Sequence, residues 1–399
     1  MMTGRQSYLR ALQANIWKMY LFRSFSWFMV MLPILVLFYQ EQGLSMFQVV
    51  SLQAIFSVTV LLTEVPSGYL ADVIGRKKSL ILGAVLASVG LGIYSIANGF
   101  TELLFAEIIL GIGAGFTSGA DAALLYDSLL ELKKEENYQK VFGKYMAVGN
   151  CAEGIASILG GFLALISLRT PVIAQACVYL LAIPVALSLK EPAKKVYHIA
   201  EGNLKEILNA AKYALIENKE VKWLLLFGAF IGTSTFTIVW FIQPYWKATG
   251  VPLEYFGILC ALLQFTTGGF SMIAHKFSNK IKLLHILTFL VVIDIIAYVA
   301  IGYFKLLWGA AIFFVFYMVR GLKTPIIDDA MNKRIPSHRR ATILSIQSLC
   351  MRLSFAIIGP FIGWIADAYT VSQAFYMAAV IFLILIGSTL VGLKKNKVV

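Results

Sequence analysis

The segment KEPAKKVYHIAEGNLKEILNAAKYALIENKEVKW, residues 190–223, is the one long polar stretch in a chain dominated by apolar runs. A bilayer core of about 30 Å needs roughly 20 apolar residues per helix. Windows of that kind occur six times before the segment, from 16–40 to 171–189, and six times after it, from 221–246 to 371–393. Inside the segment, Asn203 and Glu206 stand as an N-cap and N3 pair. Leu204, Ile207, Leu208, Ala211 and Leu215 follow at helical spacing, with lysines largely on the other face. A short amphipathic helix on the membrane surface is expected there. The chain reads as an all-α membrane protein of twelve transmembrane helices in two six-helix bundles, both termini cytoplasmic. The bundles are residues 1–189 and 221–399, joined by a linker at 190–220.

Composition agrees with that class. Hydrophobic residues make up 59% and charged residues 14%, against about 45–50% and about 25% in soluble domains. The first run, IWKMYLFRSFSWFMVMLPILVLFYQ at 16–40, exceeds the core of about 7–15 residues of a cleavable signal and is expected to remain as the first span. The net charge of +13 would suit a nucleic-acid binder, but its placement does not. Of 34 Lys and Arg, 28 fall at the termini, loops and span ends assigned to the cytoplasm, three in outer loops (Arg169, Lys247, Lys305) and three deeper within spans (Arg320, Lys323, Arg352). That asymmetry is the positive-inside rule. Membrane lipids, not nucleic acid, are the expected partners, and the bacterial cytoplasmic membrane the expected location. Cys151, Cys177, Cys260 and Cys350 all fall in spans, where no disulfide framework is expected. The chain has no phosphate-binding G-x-x-x-x-G-K-[ST] loop, no H-E-x-x-H and no T-V-G-Y-G-like filter. An ATPase, a metalloenzyme and a potassium channel are therefore not expected, nor any metal or cofactor.

The most specific motif is GYLADVIGRKK, residues 68–78, between the second and third spans. Gly68 allows close approach of a neighbouring helix, and Gly75 a tight turn. Asp72 can face a helix N-terminus, and Arg76 can reach a carboxylate at a helix end. This order at this point in a twelve-span chain resembles the signature loop of the major facilitator superfamily. The resemblance extends through span count, six-plus-six division and topology. It implies a rocker-switch secondary transporter, with spans one, four, seven and ten lining the cavity. It also implies a cytoplasmic latch carried by Gly68, Asp72, Gly75 and Arg76, with Asp127 as a partner for Arg76. In the second half, His275 and Asn279 stand where Asp72 and Arg76 should, so the latch is expected to be one-sided. Two patterns depart from the family: Glu107 replaces an Arg in span four, and SILGG in span five lacks the Gly-Pro of drug antiporters.

On this assignment the substrate-binding candidates are Arg23 and Trp27 in span one, Trp240 and Gln243 in span seven, and Tyr317 and Arg320 in span ten. A shift of 199 residues lays Gly160 on Gly359 and Glu153 on Arg352, and internal repeats of this kind build many transporter sites. Charges in spans usually face protein or water and have a role. Glu153, Glu107 and Asp121 are the proton-coupling candidates, and Arg352 joins the substrate-binding set as a prospective partner of Glu153. Asp294, in peripheral span nine, is assigned a structural or protomer contact. The function expected is proton-driven transport of a small organic solute, anionic or zwitterionic, metabolite or siderophore-like, by a monomer. A multidrug-type efflux antiporter and a passive uniporter are the alternatives.

Overall fold

The computed structural model describes residues 4–193, 209, 211–304, 306–336 and 339–396, and among these its regular structure is helical with no strand. The first half contains α1 (Gly4–Ser26), α2 (Leu35–Glu41), α3 (Met46–Ile74), α4 (Arg76–Ile96), α5 (Phe100–Thr117), α6 (Ala120–Glu131), α7 (Tyr138–Leu163), α8 (Arg169–Leu180) and α9 (Ala182–Ser188). The second contains α10 (Lys219–Thr237), α11 (Val239–Ala248), α12 (Glu254–Lys280), α13 (Leu283–Tyr303), α14 (Phe313–Asn332), α15 (Arg340–Ala368) and α16 (Val371–Lys395).

Eleven helical segments among the described residues are long and apolar enough to cross a membrane. The twelfth expected span, 16–40, is not one helix. It stops at Ser26, runs irregularly through Trp27–Met31, makes a 3-10 turn at Leu32–Ile34 and resumes as α2. Pro33 lies at the start of that turn and has no N–H to continue a helix. Ser24 and Ser26 bond back to the carbonyls of Tyr20 and Phe22, at 3.0 and 2.8 Å, which weakens the helix end. Irregular backbone at membrane depth is tolerated only where protein or water satisfies it. Here the Met31 N–H donates to Gln175 Oε1 at 3.3 Å.

The linker pair Asn203 and Glu206, with most of the amphipathic repeat, lies outside the described residues. Tyr213–Glu217 forms a π-helical turn, after which the Asn218 side chain caps α10 by accepting from the N–H groups of Glu220 and Val221, both at 3.0 Å.

The chain divides into two compact units. The first holds residues 1–43, 55–196 and 253–261; the second holds 44–54, 197–252 and 262–399. Two short pieces thus group with the opposite half of the sequence, the start of α3 with the second unit and the start of α12 with the first. In the first unit α4 packs tightly on α5, and a methyl at Gly83 would stand 2.9 Å from the Gly113 carbonyl. Small residues allow such approach where lipid supplies no hydrophobic drive between helices. Met19, Phe22, Leu80, Leu124, Leu125 and Tyr145 form an apolar cluster within this unit. In the second unit α10 and α11 form the centre. The most apolar window of Lys219–Ala248 is 78% buried, against 22% for Glu254–Ser278. The apolar surface that α12 leaves exposed is suited to lipid.

Candidate functional site

The signature loop folds into a charge cluster at one end of the first unit. Asp72 and Arg76, one turn apart, form an ion pair at 2.5 Å, and Arg76 Nε lies 3.9 Å from Asp127 Oδ2. The anion at the start of α4 is not Asp72 but Glu191, whose carboxylate accepts from the N–H groups of Arg76 (2.8 Å) and Lys77 (2.7 Å). A carboxylate is favoured there because the first N–H groups of a helix have no intrahelical partner. Gly75 has φ +107, and a Cβ on it would sit 2.9 Å from Glu191 Oε1. The turn therefore requires glycine twice over. Gly68, expected to admit a neighbouring helix, has no atom within 4 Å of its Cβ position, because this end of α3 is largely exposed at Tyr69, Leu70 and Val73. Close by, Tyr8 and the Ala193 N–H both donate to Glu131 Oε2 at 2.8 Å.

The break in the first span places a second cluster inside the same unit. Arg23, buried near the end of α1, has its guanidinium 3.8 Å from the Trp27 ring centroid and 5.0 Å from that of Tyr145. Gly149 on α7 makes the space, since a Cβ there would meet Arg23 Nε at 2.6 Å. The Tyr145 hydroxyl donates to Asp121 Oδ2 at 2.6 Å, and Asp121 Oδ1 accepts from the Ala122 N–H at 2.7 Å. Three of the sequence candidates, Arg23, Trp27 and Asp121, are thus drawn together by Tyr145. Tyr145, Gly149 and Glu153 recur every four residues on one face of α7, the signal by which Tyr145 was findable.

Glu107 and Glu153 sit elsewhere in this unit. Glu107 is buried, with Oε1 in contact with the hydroxyls of Tyr39 (2.8 Å) and Tyr94, which also touch each other, so that two phenol protons serve three contacts. Two phenols hundreds of atoms apart along the chain left no local trace of this. Glu153 is buried, and its charge acts on Cys260, in the part of α12 that groups with this unit. Arg352, its counterpart by the internal repeat, belongs to the second unit, where it is partly buried and makes no ion pair with a residue described there.

In the second unit Trp240 is buried against Phe236, with centroids 5.9 Å apart, and Phe236 packs on Phe355 at 4.6 Å. Trp240 Nε1 has no hydrogen-bond partner among the described residues. Gln243 and Tyr317 are buried, and Arg320 lies 5.9 Å from the Tyr317 ring. Most hydroxyls of α10 bond back within their own helix. Thr233, Thr235 and Thr237 reach the carbonyls of Ala229, Ile231 and Thr233 at 2.8–3.1 Å. Ser234 instead donates across to Asp294 Oδ2 at 2.5 Å. Asp294 is wholly buried, so of the two contacts expected for it, structural or between protomers, only the structural one fits. Its surroundings also include Tyr298, whose hydroxyl donates to the Ser234 carbonyl at 2.8 Å.

Lys323, unremarked among the sequence candidates, is partly buried, with its ammonium against Gly232 and Met351. It lines a cavity of about 220 Å³ with Asp328, Gln347 and Ser348. Among the described residues no three His, Cys, Asp or Glu side chains gather as a metal site.

Known proteins with similar sequences or folds agree with this architecture. The quinolone resistance protein NorA of Staphylococcus aureus strain MRSA252 is 24% identical over 313 residues, 76% of this chain and 78% of that protein. In strain Mu50 the match is 26% identical over 166 residues, so the chain spans 42% of the length of that relative. The MFS-type transporter YxaM of Bacillus subtilis is 23% identical over 360 residues, 88% and 89% of the two chains. Among solved structures, the nucleoside transporter NupG superposes with TM-score 0.77 at 13% identity, covering 96% of this chain and 99% of its own. A bacterial homologue of the lysosomal transporter Spinster, inward-facing and unoccupied, gives 0.71 at 17%, covering 97% and 96%. Residues 16–357 match the model of the Major Facilitator Superfamily, a span that contains the signature loop, the broken first helix and both buried clusters. The chain belongs to the Major Facilitator Superfamily.

Proposed function

We propose that this protein couples the proton gradient to movement of a small anionic or zwitterionic organic solute by alternating access. The observation that carries the reading is the state of its internal cations. Arg23, Arg320 and Lys323 lie in helices of the two units without an ion-pair partner among the described residues, on aromatic faces or beside a cavity. An ionised side chain at membrane depth costs roughly 2.5–3.5 kcal/mol on insertion scales, and its usual reason is function. Arg23, stacked on rings, has Nε without a hydrogen-bond partner among the described residues and one Nη only on the weak acceptor Met146 Sδ at 3.5 Å. That leaves the fork able to turn to a carboxylate or phosphate. Trp27, Trp240, Gln243 and Tyr317 supply the apolar body and polar trim of a solute site, and Arg352 is a further candidate.

Proton coupling rests on the buried carboxyls Glu153 and Glu107 and on Asp121. The cluster of Asp72, Gly75, Arg76 and Asp127 acts as a conformational latch on the cytoplasmic face, the side assigned to it by the basic loops. No cofactor enters this scheme, and the working form is a monomer in a bacterial cytoplasmic membrane.

A multidrug-type exporter is the second reading, favoured by the similarity to NorA over 76% of the chain. Purified protein in liposomes with an imposed pH gradient separates them. A panel of di- and tricarboxylates, amino acids and the cationic dye ethidium is expected to yield gradient-dependent accumulation of an acid or zwitterion, lost in Arg23→Gln. Movement of ethidium alone would favour the drug exporter, and equal uptake without a gradient a uniporter.

A further inference from the structure

We propose that Asp294 is a proton-binding carboxyl of the second unit and that Lys323 is the counter-charge that lets it ionise. The proposal rests on the proton coupling proposed above and names a site for it outside the proton-coupling candidates Glu153, Glu107 and Asp121. Both side chains meet the same stretch of α10. Asp294 takes a hydrogen bond from Ser234, and the Lys323 ammonium lies against Gly232, two residues away.

The carboxyl is half satisfied. Oδ2 has the Ser234 hydroxyl, while Oδ1 is buried with no hydrogen-bond partner among the described residues. An unpartnered buried oxygen is costly for a group fixed in one form. A carboxyl that gains and loses a proton there has a use for it. Lys323 has the complementary deficiency, with no hydrogen bond or ion pair to a described residue, and its charge acts on that of Asp294.

The neighbourhood leaves few other groups to balance the charge. On α13 itself Tyr298 spends its hydroxyl on the Ser234 carbonyl. α16, packed along α13, carries no titratable side chain between Tyr376 and Lys394, and α10 with α11 carries none between Lys222 and Tyr245. The 3-10 turn Leu307–Ile312, also packed on α13, carries none. On α14, Arg320 and Asp328 act on Lys323 with opposite sign.

The cavity reaches the Lys323 end of the pair, while Asp294 is not in its wall. Lys323 forms part of its wall, and its volume of about 220 Å³ holds several waters at about 30 Å³ each. With Asp294 ionised, carboxylate and ammonium compensate one another. When Asp294 takes a proton, the Lys323 charge is released to the cavity side, where an anion can use it. One proton bound on Asp294 thus exposes one positive charge on Lys323, and its departure withdraws that charge.

The test reads the proton directly and needs no knowledge of the cargo. Full-length protein in lipid is titrated between about pH 5 and pH 9, the range in which a coupling group must exchange, while infrared absorption of protonated carboxyls is followed. A band that disappears as pH rises, and is missing in Asp294→Asn, is expected. In Lys323→Gln it should persist to the top of the range, because the buried carboxylate has lost its counter-charge. Ser234→Ala keeps the carboxyl and removes only its donor, and is expected to displace the midpoint by about one pH unit. That variant carries the test if Asp294→Asn does not fold. A titrating band identical in all these proteins, or an Asp294 carboxyl that stays in one form throughout, would overturn the proposal. Either result leaves gradient-driven solute transport to be decided by the liposome assay, so the two readings fail separately.

Discussion

Gly75 illustrates how much a single residue decides at the signature loop. Its positive φ sends the chain from α3 into α4, and its missing side chain lets Glu191 reach two backbone N–H groups. Gly75→Ala would place an L-residue at φ +107, ψ 149, a conformation nearly reserved for glycine that costs about 1–3 kcal/mol, and press on the carboxylate as well. A fall of several degrees in the thermal unfolding midpoint of the purified protein is expected. Tyr8, at the same end of the unit, gives a pH signature. Burial, and next the hydrogen bond to Glu131, push its hydroxyl from 10.0 to about 12. The folded value lies above the ordinary one, so the contribution is fully present below pH 10 and is lost as pH rises towards 12. Tyr8→Phe should therefore lower stability by about 0.5–1.5 kcal/mol at neutral pH, with a gap from wild type that narrows only above about pH 10. Chemical unfolding of both proteins across that range measures the gap.

At the scale of elements, the broken first span and α7 depend on one another. Gly160 packs so closely on the irregular stretch that a Cβ would fall on the Val30 carbonyl oxygen. Gly154, on the same helix, has nothing within 4 Å. The two glycines make an internal control. Gly160→Ala should cost about 1–3 kcal/mol by overpacking and displace Trp27 with Arg23, reducing both unfolding temperature and solute binding. Gly154→Ala should be neutral, or stabilising by up to about 1 kcal/mol through helix propensity. Equal effects from both would mean that the close approach is not what holds the break in place. The first span of the second half, 219–248, shows the contrast: it passes Ile238 with helical dihedrals (φ −62, ψ −26) and an N–H still bonded to the Ser234 carbonyl at 3.3 Å, so only 16–40 is broken.

Across the whole molecule, the grouping of α3 is the feature with mechanical consequence. Its first residues belong to the second unit and the remainder to the first. Asp367, at the end of α15, accepts from the N–H groups of Met46 and Phe47 at 2.8 and 2.7 Å. The carboxylate caps a helix more than three hundred residues away in sequence. Asp367→Ala should remove about 1–2 kcal/mol of capping, so the Met46 and Phe47 amides are expected to exchange hydrogen about 5- to 30-fold faster. Unchanged exchange at those two amides would show that the bond does not hold the start of α3.

The sequence by itself determined the class of protein, the span positions and the signature loop, because each depends on sums over neighbouring residues. Burial of about 20 apolar residues in lipid is local bookkeeping, and so is a motif in which Asp72 and Arg76 stand one turn apart. It also placed Arg23, Trp27 and Asp121 among the candidates, since a charge or an indole in a span is conspicuous wherever it lands. Tertiary structure alone decided their partners: Tyr145 between Arg23 and Asp121, Glu191 on the start of α4, two tyrosines on Glu107, and Ser234 on the buried Asp294. It alone broke the first span, where an apolar run long enough for a single helix contains a proline and a backbone paired with Gln175. Hydropathy counts how much of a segment prefers lipid. Which carboxylate meets which hydroxyl depends on how helices far apart in sequence pack, and no property of either segment alone contains that.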